Sequence, residues 1–201
     1  MREFKLQKIT TPVLRFLLKG ETRFPALFLF GCRIRLGRFK ARIENAFPED
    51  FVNLTALPLC VYINLKEKFG ERKAYEIMRI AILTAGVAKQ NILFDPVEKG
   101  RSFETFIEQE MRIHETGTTK WNKSEIIEQS EKRFEIKVTN CLYHELAVSM
   151  GIPEVTSLIC QVDNAVFNSY MPEKIIFHRE GAGNRIADGR KECRFIWERV
   201  E

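Results

Sequence analysis

The run Arg133-Phe134-Glu135-Ile136-Lys137-Val138-Thr139-Asn140-Cys141-Leu142-Tyr143-His144-Glu145 decides the fold class. Phe134, Ile136 and Val138 alternate with Glu135, Lys137 and Thr139, a period of two that puts the apolar set on one face of a strand. Residues 123–130 alternate in the same way, and residues 129–132 supply a turn, so the two runs are expected to pair as a hairpin. Past Cys141 the pattern turns helical. A short piece over 143–150 is stopped by Gly151, and a helix opened by Pro153 covers 154–170, with Leu158, Ile159, Val162, Val166 and Phe167 as its core stripe. Residues 174–180 and 192–200 read as two more strands, separated by the loop Gly181-Ala182-Gly183-Asn184 and the turn Asp188-Gly189.

Toward the N-terminus only helical spacing is found. Ile9, Val13, Phe16 and Leu17 mark a helix over 6–18, with Pro12 expected in its first turn and Gly20 after its end. Pro25 opens a second helix whose buried stripe is expected at Ala26, Leu27, Phe30, Ile34 and Phe39, with Arg33, Arg35, Arg38 and Arg42 over much of the remaining surface. Glu49-Asp50 suits a helix start by the dipole rule, but Pro58 interrupts the pattern, so the third helix is placed over 58–69 and ended by Gly70, with Cys60 on its apolar face. Ala74, Ile77, Met78, Ala81, Ile82, Ala85 and Ala88 define a long helix over 71–93, closed by Asp95-Pro96. Phe103, Phe106, Ile107 and Met111 define another over 102–115, ended by Gly117. The expected architecture is α+β, a single domain over residues 1–201. A helical N-terminal two-thirds (1–117) is packed on a small C-terminal antiparallel sheet of about four strands with an inserted helix (118–201).

Composition sets the class of protein. At 201 residues, 45% hydrophobic and 29% charged, the chain has enough material for a sizeable core. Its 16 Phe, against 4 Tyr and 2 Trp, point to a dry aromatic interior. Five cysteines without an apolar leader read as reduced thiols in a cytoplasmic protein. No apolar run reaches the ~18 residues of a membrane span; the nearest, over 77–94, carries Arg79 and Lys89. The charge is uneven: residues 1–42 hold eleven Lys/Arg and two Glu, while the remainder is net acidic. A solvated helix face accounts for this; so would peripheral contact with an anionic membrane or an acidic partner. No nucleic-acid motif accompanies the charge, and nucleic acid is not expected as a partner.

The residues with chemistry gather in the last third. Cys160 and Asp163, three apart on one helix, share a face, where the carboxylate raises the thiol pKa unless a cation intervenes. No metal is required, although Cys160, Asp163, Cys193 and Cys141 would suit a zinc set. Cys141 precedes a helix start with His144 three residues on, an arrangement that lowers a thiol pKa and pairs a nucleophile with a base. Cys193 and Phe195 share a strand face, expected inward. His178 sits opposite Phe177, either outward or lining a pocket. His114, at a helix end, needs no role beyond the dipole. Gly181-Ala182-Gly183 and Gly189 lack the strand–loop–helix context of a phosphate fingerprint.

As an ordered series, Cys141, Gly151-Ile152-Pro153-Glu154, Cys160-x-x-Asp163, a strand ending in a basic residue, and Gly189-x-x-x-Cys193-x-Phe195 resemble the L-2-amino-thiazoline-4-carboxylic acid hydrolase family, with Phe69-Gly70-Glu71-Arg72-Lys73-Ala74 similar to its middle helix. The resemblance covers roughly residues 60–198 and is strongest from 134 onward. It implies a hydrolase opening a thiazoline ring to N-carbamoyl-L-cysteine, with Cys141, Cys160, Asp163, Gly189 and Cys193 as the matched positions. The chain departs from the pattern at Arg194, where an acid is expected, and at His178-Arg179-Glu180, where Arg-Thr is expected. Both departures bear on substrate identity.

Three functions follow from these readings. The first is a hydrolase of a non-peptide C–N or C–S bond in a cyclic amidine. Cys160 or Cys141 would attack, Asp163 would handle amidine protons, His144 or His178 would shuttle protons, and Arg179 or Arg194 would hold a substrate carboxylate beside Cys193 and Gly189. The second is a non-catalytic small-molecule sensor; a late Gly…Cys-x-Phe strand also resembles the 4-vinyl reductase type of domain. The third is a membrane-peripheral module using the basic N-terminus.

Overall fold

The computed structural model describes residues 7–94, 101–181 and 183–200. The helix start at Leu6 and the Asp95-Pro96 stop lie outside them. Among the described residues are seven α-helices, mostly N-terminal, and one four-stranded antiparallel sheet at the C-terminal end, the α+β class expected. The chain divides into two units, Met1–Gly86 and Val87–Glu201.

The first unit is helical: α1 (Gln7–Leu17), α2 (Pro25–Ala41), α3 (Glu49–Phe69) and the start of α4 (Glu71–Phe94). Pro12 falls in the second turn of α1, not the first. Pro58 does not end a helix either, because α3 runs through it from Glu49. An interior proline costs about 3 kcal/mol. Ten buried residues on α3, among them Phe51, Leu59, Tyr62 and Leu65, outweigh that at roughly 1.5–3 kcal/mol for each large side chain. Gly70 ends α3 at φ 82°, a backbone region glycine adopts without strain.

The stripe expected on α2 is the clearest correction. Only Phe39 of that set is buried; Leu27, Phe30 and Ile34 are 67%, 60% and 67% exposed. The helix instead turns Cys32 and Phe39 inward along α3. It is fixed there by Lys40 Nζ donating to Asn53 Oδ1 at 2.5 Å, by Arg35 donating to Asn64, and by the Cys60 thiol donating to the Cys32 carbonyl at 3.5 Å. Apolar residues all round α2 left its periodicity without a single inward direction.

The second unit builds the sheet. The helix α5 (Phe103–Thr116) starts on a capping box between Ser102 and Thr105. It stops at Gly117, where a Cβ would meet the Ile113 carbonyl oxygen at 2.7 Å. The strands β1 (Lys123–Gln129) and β2 (Arg133–Asn140) form the expected hairpin; α6 (Leu142–Ser149) and α7 (Thr156–Phe167) follow; β3 (Ile175–His178) and β4 (Cys193–Arg199) complete the order β1-β2-β4-β3. Register aligns Phe134 and Phe177 with Trp197, Ile136 with Phe195, and Val138 with Cys193, so these side chains share one face. Trp197, fully buried, lies within 6 Å of the rings of Phe106 on α5, Phe167 on α7, Phe134, Phe177 and Phe195. The opposite face carries a polar ladder. Arg133 and Arg194 both donate to the buried Glu135 at 2.7 Å. Burial alone would raise the Glu135 pKa, but the two guanidiniums outweigh it and hold the carboxyl below its usual range.

Candidate active site

Four segments of the second unit bring chemistry to one end of the aromatic face. Cys141 is the N-cap of α6, directly after β2. Cys160 and Asp163 lie one turn apart on α7. Cys193 begins β4, and its Sγ accepts the Ile186 N–H at 3.0 Å. Arg179, just past β3, returns to the inner face two residues after Phe177. Its guanidinium lies 3.8 Å from the centroid of the Phe195 ring. Its Nη2 donates to Asp163 Oδ2 at 3.0 Å and its Nε to Asn164 Oδ1 at 3.2 Å. Arg179 is only 7% exposed, and its Nη1 is buried without a hydrogen-bond partner among the described residues.

These groups act on one another electrostatically. Burial pushes the Cys160 thiol up to about 12; the Asp163 charge adds to this, while Arg179 and Arg185 oppose it. Burial likewise pushes Cys141 up to about 11, against the backbone amides of His144 and Tyr143, with Cys193 and Asp163 adding smaller pushes. Cys193 is raised by burial in spite of the Ile186 N–H and the two arginines. The expected activation of Cys141 by its helix start is therefore overcome, because desolvation of the thiolate is the larger effect. Asp163 keeps 21% of its side-chain surface open yet sits deep among protein atoms. Burial raises it to about 6, against Arg179 and with Glu110 adding to the rise. Of these acids, it is the one whose charge changes nearest neutrality.

The remaining candidates divide. His144 contacts Thr156 Oγ1 through Nδ1 at 3.2 Å. His178 lies on the polar face, away from Cys193, with its Nε2 3.5 Å from Glu198; its cross-strand partner Ile196 fixes that direction. Arg194 is also on the polar face, held by Glu135 and Glu192. It nevertheless lines an open cleft of about 440 Å³, together with Arg179, Gly189, Arg190 and Lys191, against Glu180 and Glu192. Gly189 turns this wall at φ 86°. Three of the four proposed substrate contacts thus border one cleft, and Arg179 joins it to the thiols.

Sequence reading missed three contributors. Arg185, gripped by Asp188 at 2.6 and 2.8 Å, puts a positive charge within reach of Cys160 and Cys193. Glu110 and His114, 3.4 Å apart on α5, act on Asp163. The i,i+3 and i,i+4 spacings of these pairs were visible, but not their direction. Among the described residues no group of three or more His, Cys, Asp or Glu is placed to hold a metal ion, the Cys160–Asp163–Cys193–Cys141 set included. No helix among them is long and apolar enough to cross a membrane.

Residues 52–197 match the family described as L-2-amino-thiazoline-4-carboxylic acid hydrolase. No curated protein matches the chain. Among solved structures, the Fe(II) unliganded H-NOX protein from K. algicida is similar over 84% of this chain and 96% of its own, at 14% identity and a TM-score of 0.35. A mutant of that protein covers 87% and 96%, at 14% identity and a TM-score of 0.33. At such scores the likeness carries no argument.

Proposed function

The chain belongs to the L-2-amino-thiazoline-4-carboxylic acid hydrolase family, and on that premise we propose that it hydrolyses a small cyclic amidine bearing a carboxylate. L-2-amino-thiazoline-4-carboxylate is the first substrate to test, and N-carbamoyl-L-cysteine the expected product. The reading rests on Arg179. A buried guanidinium with one nitrogen unpartnered among the described residues, paired to an acid and bordering a cleft, suits a carboxylate ligand. Asp163 then faces the amidine nitrogens. Ionised above about pH 6, it takes a proton from water as oxygen bonds to the ring C2 of the amidinium, whose ring nitrogen already carries its proton, and releases the proton it took to solvent. The C2–S bond then breaks as the carbonyl forms, and the hydroxyl proton goes through Asp163 to the departing sulfur. The net change is one added water. The three thiols, held neutral by burial, line this step without attacking.

A covalent route is favoured by one observation: Cys160 sits a turn from Asp163, which would take its proton as sulfur bonds to C2. Ring sulfur then leaves as a thiol, and water displaces Cys160 to give the same product. Mass spectrometry of purified protein with L-2-amino-thiazoline-4-carboxylate is expected to show product one water heavier than substrate, with turnover lost in Arg179→Met. Full turnover in Cys160→Ala supports the water route; loss of turnover with substrate still bound supports the covalent one. Folded wild-type protein that neither binds nor converts this substrate class sinks the proposal.

A further inference from the structure

We infer that the outer face of α2 docks the protein on an anionic lipid surface. Leu27, Phe30 and Ile34 stand at i, i+3 and i+7 on this helix, each more than half exposed. At 100° per residue they form one line with Arg38 at its C-terminal end and Arg33 and Arg35 to its sides, while Arg23 lies two residues before the helix start. Phe24 at the helix start and Phe16 on α1 are also largely exposed, the latter next to the exposed Arg15 and Lys19. Several large exposed apolar side chains on one helix exceed the isolated ones expected on a soluble surface.

The surrounding charge selects the occupant. Residues 22–43 contain six Lys/Arg and no acid. Among the described residues no carboxylate pairs with Arg23, Arg33 or Arg38. Arg35 alone of the four meets one, Glu67 at 3.6 Å, on the flank. A second copy is a poor fit. Pairing this face with itself would bring together two helices that carry only cations, with Arg33, Arg35 and Arg38 on each and no acid over residues 22–43 of either. A bilayer interface suits both features: apolar side chains enter the acyl boundary while guanidiniums stay at the phosphates. The cations then add attraction that salt screens. With no helix among the described residues able to span, the contact lies in the interface plane.

The test uses the full chain with phosphatidylcholine vesicles, with and without phosphatidylserine, in a sedimentation assay. Binding is expected only to the anionic vesicles and should fall as salt rises. Arg23→Gln, Arg33→Gln and Arg38→Gln together are expected to weaken partition roughly a hundredfold, at about a tenfold step per 1.4 kcal/mol and near 1 kcal/mol per cation. Leu27→Ser, Phe30→Ser and Ile34→Ser together should abolish it while leaving the unfolding transition in place, since the replaced side chains are exposed. Absence of wild-type binding to anionic vesicles overturns the inference. So does equal binding to both vesicle types. A dimer lost with the apolar triple change, without vesicle binding, assigns the face to a second copy and overturns it too.

Discussion

Removing Arg179 should move the titration of Asp163 upward, and the structure sets the size of the move. The two charges are 3.0 Å apart. At an effective dielectric of about 20, unit charges at that distance attract by roughly 5 kcal/mol. Lost desolvation and relaxation reduce this, and neighbouring cations typically lower a carboxyl by about 1–3 pH units. In Arg179→Met, Asp163 should therefore titrate at roughly 7–9 rather than about 6. The assay is carbon NMR of aspartate-labelled protein across pH, with Asp163→Asn identifying the resonance. Stability gives a second readout with a definite sign. Asp163 has a higher pKa folded than its ordinary 3.8, so folding takes up a proton between the two values. The stability linked to its protonated form is present below about pH 4 and lost as pH rises through about 6. The loss is roughly 3 kcal/mol at neutral pH, at 1.36 kcal/mol per pH unit. In Arg179→Met the loss continues to higher pH. Asp163 titrating in the ordinary range in wild type, or failing to rise in Arg179→Met, would refute the account of the site.

Two further outcomes follow from the same geometry. Cys160 and Cys141, held near 12 and 11, should alkylate with iodoacetamide at neutral pH roughly a hundredfold more slowly than a free thiol, speeding up as pH rises; rapid neutral labelling of either, read by peptide mass spectrometry, would contradict burial as the dominant cause. Trp197→Ala should lower the unfolding free energy by about 3–5 kcal/mol in urea with an unchanged slope, whereas Trp197→Phe should cost markedly less, because the indole Nε1 has no partner among the described residues.

What was legible in the sequence follows from how many directions each pattern leaves open. Phe134, Ile136 and Val138 alternate strictly, and one slip would expose all three, so the second strand and its hairpin could be read directly. The turn between Cys160 and Asp163 on α7 was equally fixed. The inward face of α2 was not, because apolar residues surround that helix, and its rotation is set by Asn53, Cys60 and Asn64 on α3, far along the chain. Pro58 misled because local cost was weighed without the burial it accompanies. The ionisation of Cys141 was hidden for a similar reason: a helix start was visible, but the desolvation that outweighs it belongs to the tertiary fold.

The site's charge balance fits the chemistry of its proposed substrate class. Asp163 and Arg179 together carry no net charge, and each holds the other in an environment that would otherwise penalise it. A ligand with a carboxylate and a protonated amidine is likewise neutral overall. Its entry exchanges one buried pair for two, carboxylate on Arg179 and amidinium on Asp163, without adding net charge to a poorly solvated site. The Arg179 Nη1 already lacks a partner among the described residues, so the carboxylate gains a donor that none of them must give up. Neutral thiols suit this exchange better than thiolates. A thiolate at Cys160 would compete with Asp163 for the same cation, and the same burial that holds the thiol near 12 prevents it. High thiol pKa values and a carboxyl near 6 thus have one origin, the dry end of the aromatic face against which Phe195 holds Arg179.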